Sequence, residues 1–142
     1  MIVRRDERGS VSVEMAILAP VFVLLIITAI VFGRTAIAAN AIDVAAHDAA
    51  RAASISRTQT AAANNARDAA EQALAYQGLD CIDEPTVVPD VSGFAGSGVE
   101  LRFVSVTITC EVSFADVALP GVPQSRVLTT TFVSPIDTYR ER

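Results

Sequence analysis

The sequence predicts an α+β protein: an N-terminal transmembrane helix extended into a long alanine-rich helix, then a second helix and a small antiparallel β-sheet head. Three observations predict it. Residues 15–32 read MAILAPVFVLLIITAIVF, without a single charge. Eighteen of the 41 residues from Thr35 to Ala75 are alanine, with no proline or glycine among them. From Val99 onward the apolar residues alternate with polar ones, which is the period of a half-buried strand.

The apolar run is the first element. About 20 helical residues cross a hydrocarbon core of about 30 Å, and in lipid the backbone must satisfy its own hydrogen bonds, so residues 15–32 predict one spanning helix. Pro20 removes one of those bonds and predicts a helix kink. Arg4, Arg5 and Arg8 precede the run, whereas Arg34 is the only basic residue between Phe32 and Arg51. The positive-inside rule then places a single pass in the cytoplasmic membrane, with the N-terminus cytoplasmic and the C-terminal part extracytoplasmic. Ala36-Ile37-Ala38 offers a signal-peptidase pattern, but the run exceeds an ordinary h-region and Arg34 interrupts it before that site. Arg4-Arg5 is followed at once by Asp6 and Glu7, which argues against a twin-arginine signal.

Composition narrows the function. All eleven basic residues are arginine, and the net charge is −5. From Thr35 onward, seven arginines face thirteen carboxylates. An acidic chain lacks the basic footprint of a nucleic-acid binder, so no nucleic-acid partner is expected. One histidine and two cysteines leave little for a metal site or a histidine-based triad, and no P-loop, dinucleotide fingerprint, nucleophile elbow or HExxH motif occurs. The expectation is a protein that is not an enzyme and carries no cofactor or metal.

The junction before the apolar run carries the most information: Arg8-Gly9-Ser10-Val11-Ser12-Val13-Glu14-Met15. A carboxylate inside the start of an apolar helix either sits at headgroup level near the positive helix end or has a partner. A short charged leader, a glycine, a carboxylate five positions on and an unbroken apolar helix together resemble a type IV prepilin signal. Further on, Pro20 follows Glu14 by six residues, and Ala49-Ala50-Arg51-Ala52-Ala53 closes an alanine-rich extension. This ensemble, from Arg8 to Ser54, resembles the TadE-like domain of the tight-adherence (Tad, or Flp) pilus system. Met15 departs from it, since the family commonly carries an aromatic residue there.

The resemblance implies cleavage by a prepilin peptidase between Gly9 and Ser10, and a role for Glu14 in assembly, facing the free amine of a neighbouring subunit. It implies a minor pilin, or pseudopilin, that is a structural and assembly component of a pilus or related secretion apparatus. The partners implied are the membrane, the prepilin peptidase, an inner-membrane platform with its assembly ATPase, and a major pilin or other pseudopilins. The expected organisation is a cytoplasmic leader over residues 1–9, a TadE-like membrane and extended pilin-like helix over 10–54, and an extracytoplasmic head over 55–142. The principal alternative is a single-pass anchored protein with a small extracytoplasmic binding domain.

The remaining elements follow from local chemistry. Alanine has the highest helix propensity, so the first helix should continue out of the membrane to about Ser54, on the order of 68 Å if unbroken. Asn40, Asp43, His47 and Arg51 make one polar stripe on it. Ile37, Ala41, Val44, Ala45, Ala49 and Ala52 make a shallow face, suited either to subunit packing or to resting on the molecule's own sheet. Ser56, Thr58 and Thr60 are N-cap candidates for a second helix from about Thr60 to Gln77, stopped by Gly78. Asp68 and Glu71 read as solvated charges on it. Leu79 to Ser97 reads as loop, with a short strand at Thr86–Val88. A strand follows through Leu101, Phe103, Val104, Val106, Ile108, Cys110, Val112 and Phe114, with a slip at Phe103–Val104 that suggests a bulge. Pro120 to Pro123 turns the chain into a β-branched strand over Val127–Val133, and the tail from Tyr139 is expected to be mobile. In an exported domain, an isolated pair such as Cys81 and Cys110 predicts a disulfide.

Overall fold

The computed structural model describes residues 8–95, 101–115 and 124–136. Along the chain run α1 (Arg8–Ser54), α2 (Gln59–Tyr76), β1 (Thr86–Asp90), a 3-10 turn (Ser92–Ala95), β2 (Phe103–Ser113) and β3 (Ser125–Pro135). This is the expected α+β order. The leader residues before Arg8, the Pro120–Pro123 turn and the tail from Tyr139 lie outside the described residues.

The chain divides into two compact units, Met1–Thr35 and Ala36–Arg142. In the first unit, α1 exposes its apolar side chains all round, among them Val13, Ile17, Phe22, Leu25 and Phe32. The hydroxyl of Thr28 donates to the Leu24 carbonyl at 2.7 Å, and that of Thr35 donates to the Val31 carbonyl at 2.8 Å. Each threonine thus satisfies its polar group within its own helix, which suits an apolar surround.

In the second unit, the remainder of α1 packs with α2 against one face of the sheet. The buried apolar residues of α1 are Ala38, Ala41, Ile42, Ala45, Ala46, Ala49, Ala50 and Ala53. Of the two uses the shallow face allowed, this one belongs to the molecule's own core. Its centre is also rotated from the expected position: Ile37 is 72% exposed, while Val44 and Ala52 are half-buried. The rotation seats Ile42, with Ile108 one of the two largest fully buried side chains among the described residues, and keeps Asn40, Asp43, His47 and Arg51 outside.

Ser54 and Ser56 cap the end of α1 by donating to the carbonyls of Arg51 and Ala52. The Asn65 side chain donates to the Ser56 hydroxyl at 3.0 Å, tying this turn to α2. Thr58 is the N-cap, its hydroxyl accepting from the Ala61 amide at 3.2 Å. Ala62, Ala66, Ala70 and Leu74, four apart, are the buried face of α2, and Asp68 and Glu71 are exposed. At its C-terminus Gly78 adopts φ +64°, Gly78 N–H donates to the Ala75 carbonyl and Leu79 N–H donates to the Leu74 carbonyl. That is a Schellman stop, with Leu79 packed on the core as its apolar latch.

The sheet has the order β1-β2-β3, antiparallel throughout. On β2, Val104, Val106, Ile108 and Cys110 point into the core. The expected bulge is absent from the described residues: β2 pairs with β3 residue for residue from Phe103↔Pro135 to Ser113↔Ser125. The apparent slip arises because Phe103, half exposed, lies on the outer face, and Leu101, which precedes the strand, is 78% exposed. β1 reaches Asp90, two residues further than expected, and accommodates Pro89 as an edge strand can. Asp90 accepts a hydrogen bond from the Ser92 amide at 3.0 Å, which starts the 3-10 turn and holds its carboxyl below the ordinary 3.8. Gly93 is required there, because a Cβ would collide with the Phe103 carbonyl oxygen.

Cys81 and Cys110 form a disulfide with Cα atoms 5.5 Å apart. Beside it the Ile82 amide donates to the Glu111 carbonyl at 2.8 Å. The two links fasten the α2–β1 connection to the middle of the sheet.

Candidate functional site

The residues singled out by sequence fall into two places. Gly9 and Ser10 lie in the first turn of α1, and Glu14 follows on the same helix, exposed. Pro20 is also exposed, and the helix continues through it from Arg8 to Ser54. Around Glu14 and Pro20 the side chains of α1 are mostly aliphatic, with Ser12, Met15, Thr28, Phe22 and Phe32 among them, and its large apolar ones are exposed. Over its most apolar eighteen residues α1 has a mean hydropathy of 2.9 and is wholly unburied. Among the described residues this is the one helix long and apolar enough to cross a membrane.

Such a surface is stable in water only if something covers it, since large continuous apolar patches mark membrane or protein contact. At about 1.5 Å per residue, the eighteen residues from Met15 to Phe32 span about 27 Å, close to the hydrocarbon thickness. Glu14 precedes that stretch by one residue and lies on the side of Arg8 and Gly9.

The second place is the exposed flank of α1 beside β3, in the head. The Asp43 carboxylate accepts a hydrogen bond from the Thr130 hydroxyl at 2.6 Å. One turn on, the His47 ring meets the Phe132 ring edge to face, with centroids 4.6 Å apart, and its Nδ1 lies 3.4 Å from an Asp48 carboxylate oxygen. His47 and Asp48 are each about half exposed, with 52% of the side chain accessible. The polar stripe is therefore confirmed as an exposed face, and its two central residues are held by β3. Sequence spacing gave the stripe but not its β3 partners, which are 87 residues away in one case.

No group of three or more histidine, cysteine, aspartate or glutamate side chains that could hold a metal ion occurs among the described residues. The one sulfur pair is consumed by the disulfide. Between α1 and α2 an open groove of about 410 Å³ is lined by Val44, Asp48, Ala69, Gln72, Ala73 and Tyr76, together with Gln77. It contains no nucleophile paired with a base.

Compared with known proteins, residues 9–51 match the model of the family described as TadE-like protein. No curated protein and no solved structure matches the chain. The matched stretch begins at Gly9 and ends at Arg51, within the Ala-Ala-Arg-Ala-Ala element, and it contains Glu14, Pro20 and the whole polar stripe.

Proposed function

We propose, on the premise of a TadE-like stretch over residues 9–51, that this protein is a minor pilin, or pseudopilin, of a Tad/Flp-type pilus or related secretion apparatus. It is a structural and assembly component and not an enzyme. The single observation that carries the reading is the coincidence of the matched stretch with an uncovered apolar helix that has Gly9 at its head and Glu14 five positions on.

In this reading a prepilin peptidase removes residues 1–9 from the cytoplasmic side, and Ser10 becomes the new N-terminus. The freed amine and the Glu14 carboxylate of a neighbouring subunit then have opposite charges at the edge of a low-dielectric layer, where each alone is costly and the pair is not. Pro20, lacking an amide proton, permits a bend that lets the anchor leave the bilayer and enter a bundle. The platform with its ATPase, a major pilin and sibling pseudopilins are the partners this role requires. The head, closed by its own core and disulfide, faces outward.

N-terminal sequencing of the protein from native membranes tests the reading. A start at Ser10 is expected. An intact Met1 sinks processing and favours the anchored binding protein, while a start just after Ala38 makes this a secreted protein. Glu14→Ala should leave the anchor in the membrane and abolish its recovery in sheared pili.

A further inference from the structure

The two edges of the sheet differ. The Ile136 amide donates to the Arg102 carbonyl and the Phe114 amide to the Gln124 carbonyl, both at 2.7 Å. These bonds extend the β2–β3 register at its two ends, so the even-numbered residues of β3 hold the hydrogen bonds to β2. The N–H and C=O groups of Val127, Thr129, Thr131 and Val133 therefore point off the edge. All four residues are exposed, and β3 pairs with β2 alone. No backbone hydrogen bond among the described residues reaches them from another element.

The opposite edge is β1, which has only five residues. By the same alternation Val87 and Pro89 direct their backbone outward, and Pro89 has no N–H to offer. Short length and proline are how sheet edges are blunted. β3 has neither defence: it runs for eleven residues, with proline only at its last position. Over residues 127–133 it reads Val-Leu-Thr-Thr-Thr-Phe-Val, uncharged and rich in β-branched residues, the composition that takes up a further strand.

We propose that the free edge of β3 receives an extended segment of another polypeptide as a fourth, antiparallel strand. The outward amides and carbonyls supply the binding, and the side chains on the two faces select the segment. On the outer face the incoming strand continues rows in which Thr107 meets Thr131 and Thr109 meets Thr129, hydroxyl to hydroxyl, at 2.8 and 3.1 Å. Small β-branched residues suit those positions. On the inner face it passes the exposed flank of α1. The Asp43 carboxylate there accepts from Thr130 through Oδ1 and keeps further acceptor capacity. A residue opposite Thr130 stands beside that carboxylate, so arginine or lysine is its complement. Opposite the exposed Phe132, an apolar residue is. The segment is thus β-branched on one face, with a cation between apolar residues on the other. A second β3 fits worse. Centred on Thr130, it turns the two Asp43 carboxylates toward each other. Setting its one cation, Arg126, opposite Thr130 instead leaves Val133 with no partner inside the strand. The inference does not rest on the pilus-component reading.

The experiment uses the full chain, isotope-labelled in detergent micelles, with the peptide Thr-Val-Thr-Arg-Thr-Val-Thr as probe. Amide hydrogen exchange is read residue by residue by NMR. In the free protein Val127, Thr129, Thr131 and Val133 should exchange faster than Leu128, Thr130, Phe132 and Ser134. The peptide at millimolar concentration should slow the first set and leave the second unchanged. Methylating the amides of its two central threonines should weaken binding at least about tenfold. Glutamate in place of its arginine should weaken binding about fivefold, and Asp43→Asn should remove most of that difference. Thr131→Pro deletes an outward amide and none that bonds β2, so it should abolish the protection while the slow set stays slow. Where that variant loses its slow set, the methylated peptide decides. No protection by the peptide, or equal binding of the methylated one, overturns the proposal. Protection that rises with protein concentration in the absence of peptide also overturns it, and assigns the edge to a second copy.

Discussion

Thr130 donates its hydroxyl hydrogen to Asp43 across 87 residues of sequence, and this 2.6 Å bond fixes the direction of β3 beneath α1. One turn further along the helix, His47 meets Phe132, two residues further along the strand. Helix and strand therefore advance together, and β3 runs the same way as the second half of α1.

The first prediction concerns that bond. Thr130→Val keeps the shape of the side chain and strands no donor, so it should cost about 1 kcal/mol. Asp43→Ala should cost about the same. Urea unfolding of the detergent-solubilised chain, followed by far-ultraviolet circular dichroism, measures both. Combined, the two changes should cost little more than either, because they delete one interaction.

Removing the disulfide should matter more. Closing a loop of about thirty residues constrains the unfolded chain by about 3–4 kcal/mol in the chain-entropy account. Replacing Cys81 and Cys110 by alanine should lower the unfolding midpoint accordingly. Position 110 is 2% exposed and accepts a small apolar residue such as alanine, so the head is expected to keep its fold at low temperature. Non-reducing gels of the native protein should show the oxidised form, which is the outcome expected of the proposed extracytoplasmic placement.

The helix seam should reject larger side chains. Ala49 and Ala66 are fully buried in the head core. Leucine at either position should destabilise by about 1–3 kcal/mol through overpacking. Leucine at Ala75, which is exposed, should be nearly neutral by the same unfolding assay.

Asp90 should titrate below its ordinary 3.8, because the Ser92 amide stabilises the carboxylate. A folded-state value below the unfolded one gives stability that is present above the unfolded value and lost as pH falls through the folded value. The Ser92 amide resonance should follow the same transition in NMR spectra between about pH 5 and 2, and Asp90→Asn should abolish it. A midpoint at or above 3.8 would contradict the hydrogen bond.

Much of the fold was legible because single residues have local consequences. Gly78 announced the end of α2, Thr58 was among the three cap candidates, and alternation along Val104 to Cys110 identified the inward face. The phase of α1 was harder to read. In a segment so rich in alanine, the apolar stripe differs little from its flanks, so Ile37 drew the predicted face toward itself while Ile42 anchored the actual one. Phe103 misled for a related reason: an aromatic residue in an alternating run reads as core, yet its parity along the register puts it outside. At the candidate site, Gly9, Glu14 and Pro20 were visible as a linear pattern. The pairing of Asp43 with Thr130 was not, since only the folded sheet brings positions so distant together.

The alanine seam has a mechanical consequence. Alanine has no side-chain torsion to adjust, so the contact of Ala45, Ala46, Ala49 and Ala50 with the rest of the core has no alternative set of rotamers to slip into. Tension drawn along the second half of α1 would meet close contacts in which the alanines themselves have no side-chain hop to make, and only partners such as Leu74 and Ile108 have one. The head is therefore expected to be brittle under load, keeping its shape up to a threshold and yielding in one step, which single-molecule pulling on the second half of α1 would measure.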